Sequence, residues 1–303
     1  LKKVFIFLFS FLFIASATVA GGVLLSGSSY SVPVSESSGE EIQDSENLTN
    51  VTANATEPLN DGNWTDSGNY DTTFAGGTGT ESDPYLISTA RQLAGLAYWT
   101  NISTSTTYNG SGVYYRQTAD IDLSAYWWDS IGASTSSTYN FRGHYDGDGH
   151  TVSGVFTKAG SSTTYNYQGL FGYVRGTSST NRAEISNVGV INSNIKGYQY
   201  VGGIAGYAHY TNITNCYNTG SVAGSGESVG GVVGRNYSSS TVSNSYNTGE
   251  VTGIGYVGGV VGYNASSTVS NSYNTGSVTG SSGSVGGVVG YSGSSSTVSN
   301  SYN

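Results

Sequence analysis

Over the last third of the chain, hydrophobic and polar positions recur in a fixed order. A cluster of apolar residues set among glycines, VGGIAG from Val201, returns as VGGVVG from Val229, Val257 and Val285, 28 residues apart each time. A polar word follows each copy: NCYNTGSV from Asn215, NSYNTGEV from Asn244, NSYNTGSV from Asn271 and NSYN from Asn300. Inside one period, VGGVVG, STVSNSY and GSVTG are separated by Gly, Asn and Ser. Val, Thr and Tyr suit strands and the separators suit turns, so the pattern predicts three strands and three turns per repeat. No apolar spacing of about 3.6 residues survives the glycines, which argues against helices in this region.

Self-similarity at such a period marks a solenoid, a propeller or an array, and propeller blades take about 40 to 50 residues. The shorter period predicts an all-β fold, a right-handed parallel β-helix with coils of about 28 residues. One coil buries too little apolar surface to offset the entropy of ordering its backbone. Coils must therefore stack at about 4.8 Å, each strand pairing with the one above, and like residues then form columns. Val232, Val260 and Val288 make one column, and Asn244, Asn271 and Asn300 another whose amides can bond along the axis. Which residues of VGGVVG point inward stays open, because a Gly-Gly bend can reset the alternation. Upstream, Thr89 and Gln92 form a capping box ahead of Leu93, Leu96 and Ala97, predicting a short helical N-terminal cap over the first coil.

GLFG at Gly169–Gly172, the VGGxxG words and the I/V-S-N-C/S-Y-N-T-G words resemble the GLUG-motif repeats of secreted and surface proteins. GTGTESDPYLISTARQLAGLA from Gly77, ADIDLS from Ala119, SIG from Ser130 and FRGHYDGDGHTVSGV from Phe141 follow the order in which such domains open. The resemblance runs from about Gly76 to Asn303; it departs at Ser130, where a Pro is expected before Ile-Gly. It implies a β-solenoid on bacterial or archaeal surface proteins, sometimes attached to peptidases, and supplies no catalytic residues. The expected organisation is a signal peptide over 1–20, a disordered linker over 21–75, a cap with irregular first coils over 76–165, and GLUG-type coils over 166–303. The chain stops at Asn303 where earlier copies continue with Thr-Gly, so the sequence is expected to be truncated or its last coil open.

Lys2, Lys3, an apolar run from Val4 to Ile14 and the small residues ASATVA read as a secretory signal, cleaved after Ala17 or Ala20. The apolar character continues through Leu25, which leaves an uncleaved anchor as the alternative and the only expected membrane contact. The full chain carries a net charge of −9; without Lys2 and Lys3 it has 8 basic against 19 acidic side chains. Phosphate backbones need a basic stripe, so nucleic acid is excluded as a partner. Glu36 to Asp83 holds many of the acidic residues and no Lys or Arg, the composition of a disordered segment.

The densest polar cluster is Arg142, His144, Asp146, Asp148 and His150 in FRGHYDGDGH. Alternate residues of a strand could face solvent there as a Ca²⁺ or acid/base site, but Gly147 and Gly149 favour a tight turn. Asp120 and Asp122 read the same way. Cys216 aligns with Ser245, Ser272 and Ser301, a column that asks for a small side chain rather than a nucleophile. With no HExxH, GxSxG, P-loop or calcium-repeat motif, the chain is read as a non-enzyme without cofactor or metal. Two tyrosine columns remain: Tyr207, Tyr263 and Tyr291, with Arg235 in the intervening copy, and Tyr217, Tyr246, Tyr273 and Tyr302. Either could stack on sugar rings or brace the ladder, and the first is the candidate ligand-contact column. Of the N-x-S/T sequons, Asn212, Asn236 and Asn264 are the candidate glycosylation sites, the last two expected at an exposed corner. The expected function is that of an exported, non-catalytic adhesive or envelope-structural module, secreted or at the cell surface, whose partner is a surface glycan or protein polymer. The alternative is the repeat arm of a secreted peptidase or polysaccharide-active enzyme.

Overall fold

The computed structural model describes residues 57–102, 107–133 and 139–303. The expected signal, 1–20, and the expected linker as far as residue 56 lie outside them. From Tyr85 onward the chain winds as a β-solenoid. One coil runs through Val201–Gly202, Ala205–His209, Thr211–Thr214, Tyr217–Asn218 and Ser221–Gly224. Each of these short strands pairs in parallel with its counterpart one coil on, as Val201, Val229, Val257 and Val285 do in series. Among the described residues, five sheets of eight, six, five, four and four strands result.

The coil therefore has five strands where the sequence predicts three, because two of the three runs are each broken by a corner. In STVSNSY the break falls at Asn215, Asn244, Asn271 and Asn300, all left-handed with φ between 49° and 56°. Asn tolerates that conformation better than most residues, since its short side chain bonds locally. In VGGVVG the corner falls at the second glycine and the valine after it. That corner resets the inward-outward alternation, so Val229, Val232 and Val233 are all fully buried. The glycine is required by packing: a Cβ on Gly231 would lie 2.3 Å from Cγ of Asn247, and one on Gly259 the same distance from Cγ of Asn274. The two words of each repeat thus meet inside the coil.

The interior changes along the axis. On the eight-stranded sheet the inward column reads Tyr115, Tyr145, Ile185, Ile213, Val242, Val269 and Val298. Phe141, Phe171 and Trp128 add bulk to the first coils, whereas the repeats are filled by valines in register. Val232, Val260 and Val288 stack as expected, each joined to the next through its backbone.

The cap is a 13-residue helix, α1, Ala90–Ile102. Thr89 Oγ1 accepts from the Gln92 amide at 3.2 Å, and Gln92 Oε1 accepts from the amide of Ser88 at 2.8 Å, so the reciprocal bond falls one residue earlier than in the expected box. Leu93, Leu96 and Ala97 are fully buried. The expected linker is corrected at its C-terminal end. Residues 57–75 are packed: the Trp64 amide bonds to the Trp127 carbonyl at 2.9 Å, Tyr70 stacks on Tyr98 at 4.1 Å, and Arg91 pairs with Asp71 at 2.8 Å. A Cβ on Gly95 of α1 would lie 2.1 Å from the Asp71 carbonyl, so the helix needs glycine where this segment crosses it. Averaged polarity concealed three aromatic anchors, Trp64, Tyr70 and Phe74. At Ser130, where Pro was expected, the buried hydroxyl donates to the Gly169 carbonyl at 2.8 Å and accepts from its amide at 3.1 Å, a bond proline could not make.

Deleting Val229–Tyr256, one whole period, is expected to leave a folded protein one coil shorter. Deleting 14 residues, about half a turn, should not, because it moves inward residues outward. Circular dichroism and limited proteolysis of the two variants distinguish these outcomes.

Candidate functional site

Asparagines stack inside the solenoid, but not at the expected positions. Asn244 and Asn271 are exposed corner residues. The ladder lies three residues on, where Asn218 Nδ2 donates to Asn247 Oδ1 at 2.8 Å, Asn247 to Asn274 at 2.8 Å and Asn274 to Asn303 at 2.7 Å. Each also donates to the carbonyl two residues ahead, at Gly220, Gly249 and Gly276. A second ladder joins Asn236 to Asn264 at 2.8 Å. This overturns the exposed corner at Asn236 and Asn264: both are fully buried, and an attached glycan could not be accommodated. Asn212 is half-buried, its side-chain Oδ1 accepting from Arg182 at 2.9 Å.

The two tyrosine columns separate clearly. Tyr217, Tyr246, Tyr273 and Tyr302 stack face to face at 4.9, 4.9 and 5.2 Å, nearly parallel, as an aromatic ladder. The other column lies on the five-stranded sheet of Phe171–Arg175, Ala205–His209, Val233–Tyr237, Val261–Ala265 and Val289–Ser292. Its register aligns Tyr173, Tyr207, Arg235, Tyr263 and Tyr291 in one outward row, and Arg175, His209, Tyr237 and Ala265 in a second. Sequence reasoning missed Tyr173, Arg175, His209 and Tyr237, although the 28-residue offset pairing His209 with Tyr237 was available to it.

Rings in this face also use their flat sides on one another, as Tyr173 and Tyr207 do at 4.7 Å and Tyr263 and Tyr291 at 5.1 Å. Tyr167, Tyr200 and Tyr256 flank the row from the preceding corner, and at the coil of Arg235 that corner residue is Ser228. The smaller residue leaves space for the guanidinium, whose centre lies 4.8, 4.9, 5.3 and 5.6 Å from the rings of Tyr263, Tyr237, Tyr207 and Tyr200. Its Nη1 donates to the Tyr200 hydroxyl at 3.4 Å, and its Nε is buried without a hydrogen-bond partner. Rings stacked on one another leave their hydroxyl edges, with the guanidinium beside them, along this face. Burial raises the Tyr207 pKa well above the ordinary phenol value, with Arg235 opposing. Burial, then the charges of Arg175 and Arg235, holds His209 down to about 4.

FRGHYDGDGH forms a tight turn, as Gly147 and Gly149 suggest. Asp148 and Gly149 are left-handed, the Asp146 carboxylate accepts from the Asp148 amide at 2.9 Å, and the turn closes from the His150 amide to the Gly147 carbonyl. His144 and Asp146 nevertheless share one outward strand face. Parallel pairing sets Tyr114, His144 and Glu184 side by side, and likewise Arg116, Asp146 and Ser186, along a groove of about 210 Å³. His144 lies 3.5 Å from Glu184 and Arg116 lies 3.6 Å from Asp146, so each of these carboxylates faces one nitrogen-bearing side chain. Arg116 and Glu184 were invisible beforehand, being brought there only by coil stacking. Asp122 caps a turn at Ser124, and the Thr151 amide on Asp120 holds that carboxyl below its usual range. Cys216 is fully buried, which pushes its thiol up to about 12, and its backbone amide donates to Ser245 Oγ at 3.1 Å.

Residues 197–223, 225–252 and 253–279 match the GLUG motif, so the chain carries three tandem GLUG repeats on a β-solenoid. A protein named "Putative Gly-rich membrane protein" from Evansella cellulosilytica is 36% identical over 107 residues, 33% of this chain and 11% of that protein. "Halomucin" of Haloquadratum walsbyi is 33% identical over 176 residues, 55% of this chain and 2% of that protein. The chain thus spans a small fraction of either relative. The crystal structure of a "putative immunoglobulin A1 protease" from Bacteroides ovatus superposes with a TM-score of 0.57 at 28% identity, covering 75% of this chain and 69% of that one. The coils beginning at Gln168 and Val285 lie outside the matched residues yet pair with the matched coils in register.

Replacing Asn247 by Ala should lower the urea midpoint more than replacing Asn244 by Ala. The first leaves buried partners unsatisfied at about 1–3 kcal/mol and opens a cavity, whereas the second meets only the cost of a left-handed corner. Because the folded chain holds His209 near 4, the unfolded chain takes up a proton between about pH 6.5 and 4 that the folded chain refuses. Stability present at neutral pH is therefore expected to fall through that window and level off below it. His209→Gln should make the fall in Tm shallower.

Proposed function

We propose that this chain is a non-catalytic solenoid displayed at the cell surface, where its tyrosine and arginine face holds a surface polymer, a glycan. The observation that carries this reading is an outward row of Tyr173, Tyr207, Arg235, Tyr263 and Tyr291 running across five strands, about 20 Å, with hydroxyls and a guanidinium at its edge. A repeating polymer can meet such a row at several points, and repetition turns weak contacts into useful affinity. A relative named as a membrane protein supports the surface placement. A second reading, the repeat arm of a larger secreted enzyme, is favoured by the likeness to the Bacteroides ovatus protein.

The chain without residues 1–20 should sediment with insoluble cell-surface glycan and release no soluble sugar. Tyr263→Ser with Tyr291→Ser should weaken that retention several-fold. Tyr246→Ser with Tyr273→Ser, in the column on the six-stranded sheet, should leave it unchanged. Equal loss from both pairs would assign the effect to stability, and release of cleaved sugar would defeat the non-catalytic reading.

A further inference from the structure

The chain is acidic, at net −9, yet its basic groups are unevenly placed. Arg142, Arg175 and Arg235 all act on the Tyr173 hydroxyl, opposing the larger effect of burial, and Arg175 and Arg235 act together on His209. Neither outward row of the five-stranded sheet contains an acidic residue. Among the described residues the ion pairs are Arg91 with Asp71, Arg116 with Asp146, His144 with Glu184 and His150 with Asp120. Arg175 and Arg235 take part in none of them. A cation set among rings and left without a counter-ion is an incomplete arrangement; Arg recognises planar and tetrahedral anions through several N–H groups at once.

The ring geometry points the same way. Neutral sugars are held on aromatic surfaces chiefly through exposed ring faces, and here those faces are spent on neighbouring rings 4.7 to 5.5 Å away. What remains is phenol O–H together with the guanidinium N–H groups other than the buried Arg235 Nε, and the two guanidinium charges favour acceptors that carry negative charge. Resting on the reading that this face holds a surface glycan, we infer that the glycan is anionic, bearing carboxylate or sulfate groups, with Arg175 and Arg235 as the anion-binding residues and the hydroxyls of Tyr200, Tyr207 and Tyr263 beside them.

The test uses one polysaccharide backbone in three charge states: dextran, carboxymethyl dextran and dextran sulfate. The chain without residues 1–20 should bind one or both charged forms at least tenfold more tightly than dextran; which form binds better separates carboxylate from sulfate as the anion. Arg235→Tyr with Arg175→Tyr removes both charges while installing the residue found elsewhere in the same rows, so the coils should stay intact by circular dichroism. That variant should lose the preference for charged dextran. Binding of dextran as tight as that of its charged forms, or unaltered preference in the folded variant, would overturn the anionic inference and leave the glycan reading standing. Failure to bind any of the three, together with no retention on cell-surface glycan, would remove both. Should the variant not fold, Arg235→Tyr alone, which completes the tyrosine row, gives the same reading at reduced amplitude. Competition by single-stranded poly(U) equal to that of dextran sulfate would replace the glycan by nucleic acid and overturn the proposal.

Discussion

The rest of this structure depends on side chains of the same kind lying over one another at one strand spacing. Parallel pairing in a 28-residue register forces that arrangement, and each column must then be self-compatible. Valine meets this by close packing, tyrosine by parallel stacking and asparagine by donating its amide to the carbonyl of the next asparagine. The ladder from Asn218 to Asn303, buried as far as Asn274, is the most constrained of these, because it fills the space vacated by the second glycine of each VGGxxG word. Changing either member of that pair disturbs the other.

The same constraint explains where charge is allowed. Identical charges stacked a strand apart repel, so a charged column cannot be repeated. Glu227 is followed one coil on by Gly255, Glu250 by Ser277 and Arg235 by Tyr263. The repeats accordingly carry few charges, Glu227, Arg235 and Glu250 over residues 225–279.

Chemistry consequently collects where the repeat is broken. Arg235 replaces a tyrosine and gains the space of Ser228, while Arg175 comes from the coil before the matched repeats and His209 from the first of them. The groove beside His144 is likewise assembled from coils that precede the GLUG words, where Arg116, Asp146 and Glu184 occupy columns that become Thr and Ser further along.

Much of the fold was legible in the sequence, because a solenoid is specified by period and column composition and both can be read directly. The 28-residue spacing, the valine columns, the capping residues Thr89 and Gln92 and the small-residue column at Cys216 needed no tertiary information. Corners were harder: the left-handed Asn215 and its successors divide runs that alternate smoothly on paper, and a one-corner error moved the asparagine ladder from Asn244 to Asn247. Tertiary structure alone decided that Asn236 and Asn264 face inward, since the sequon is blind to the phase reset at the Gly-Val corner. It also decided that Trp64, Tyr70 and Phe74 anchor a polar segment, and that Arg175 and Arg235 share one face without a carboxylate. Those relations join residues many positions apart through coil stacking, and composition averages them away.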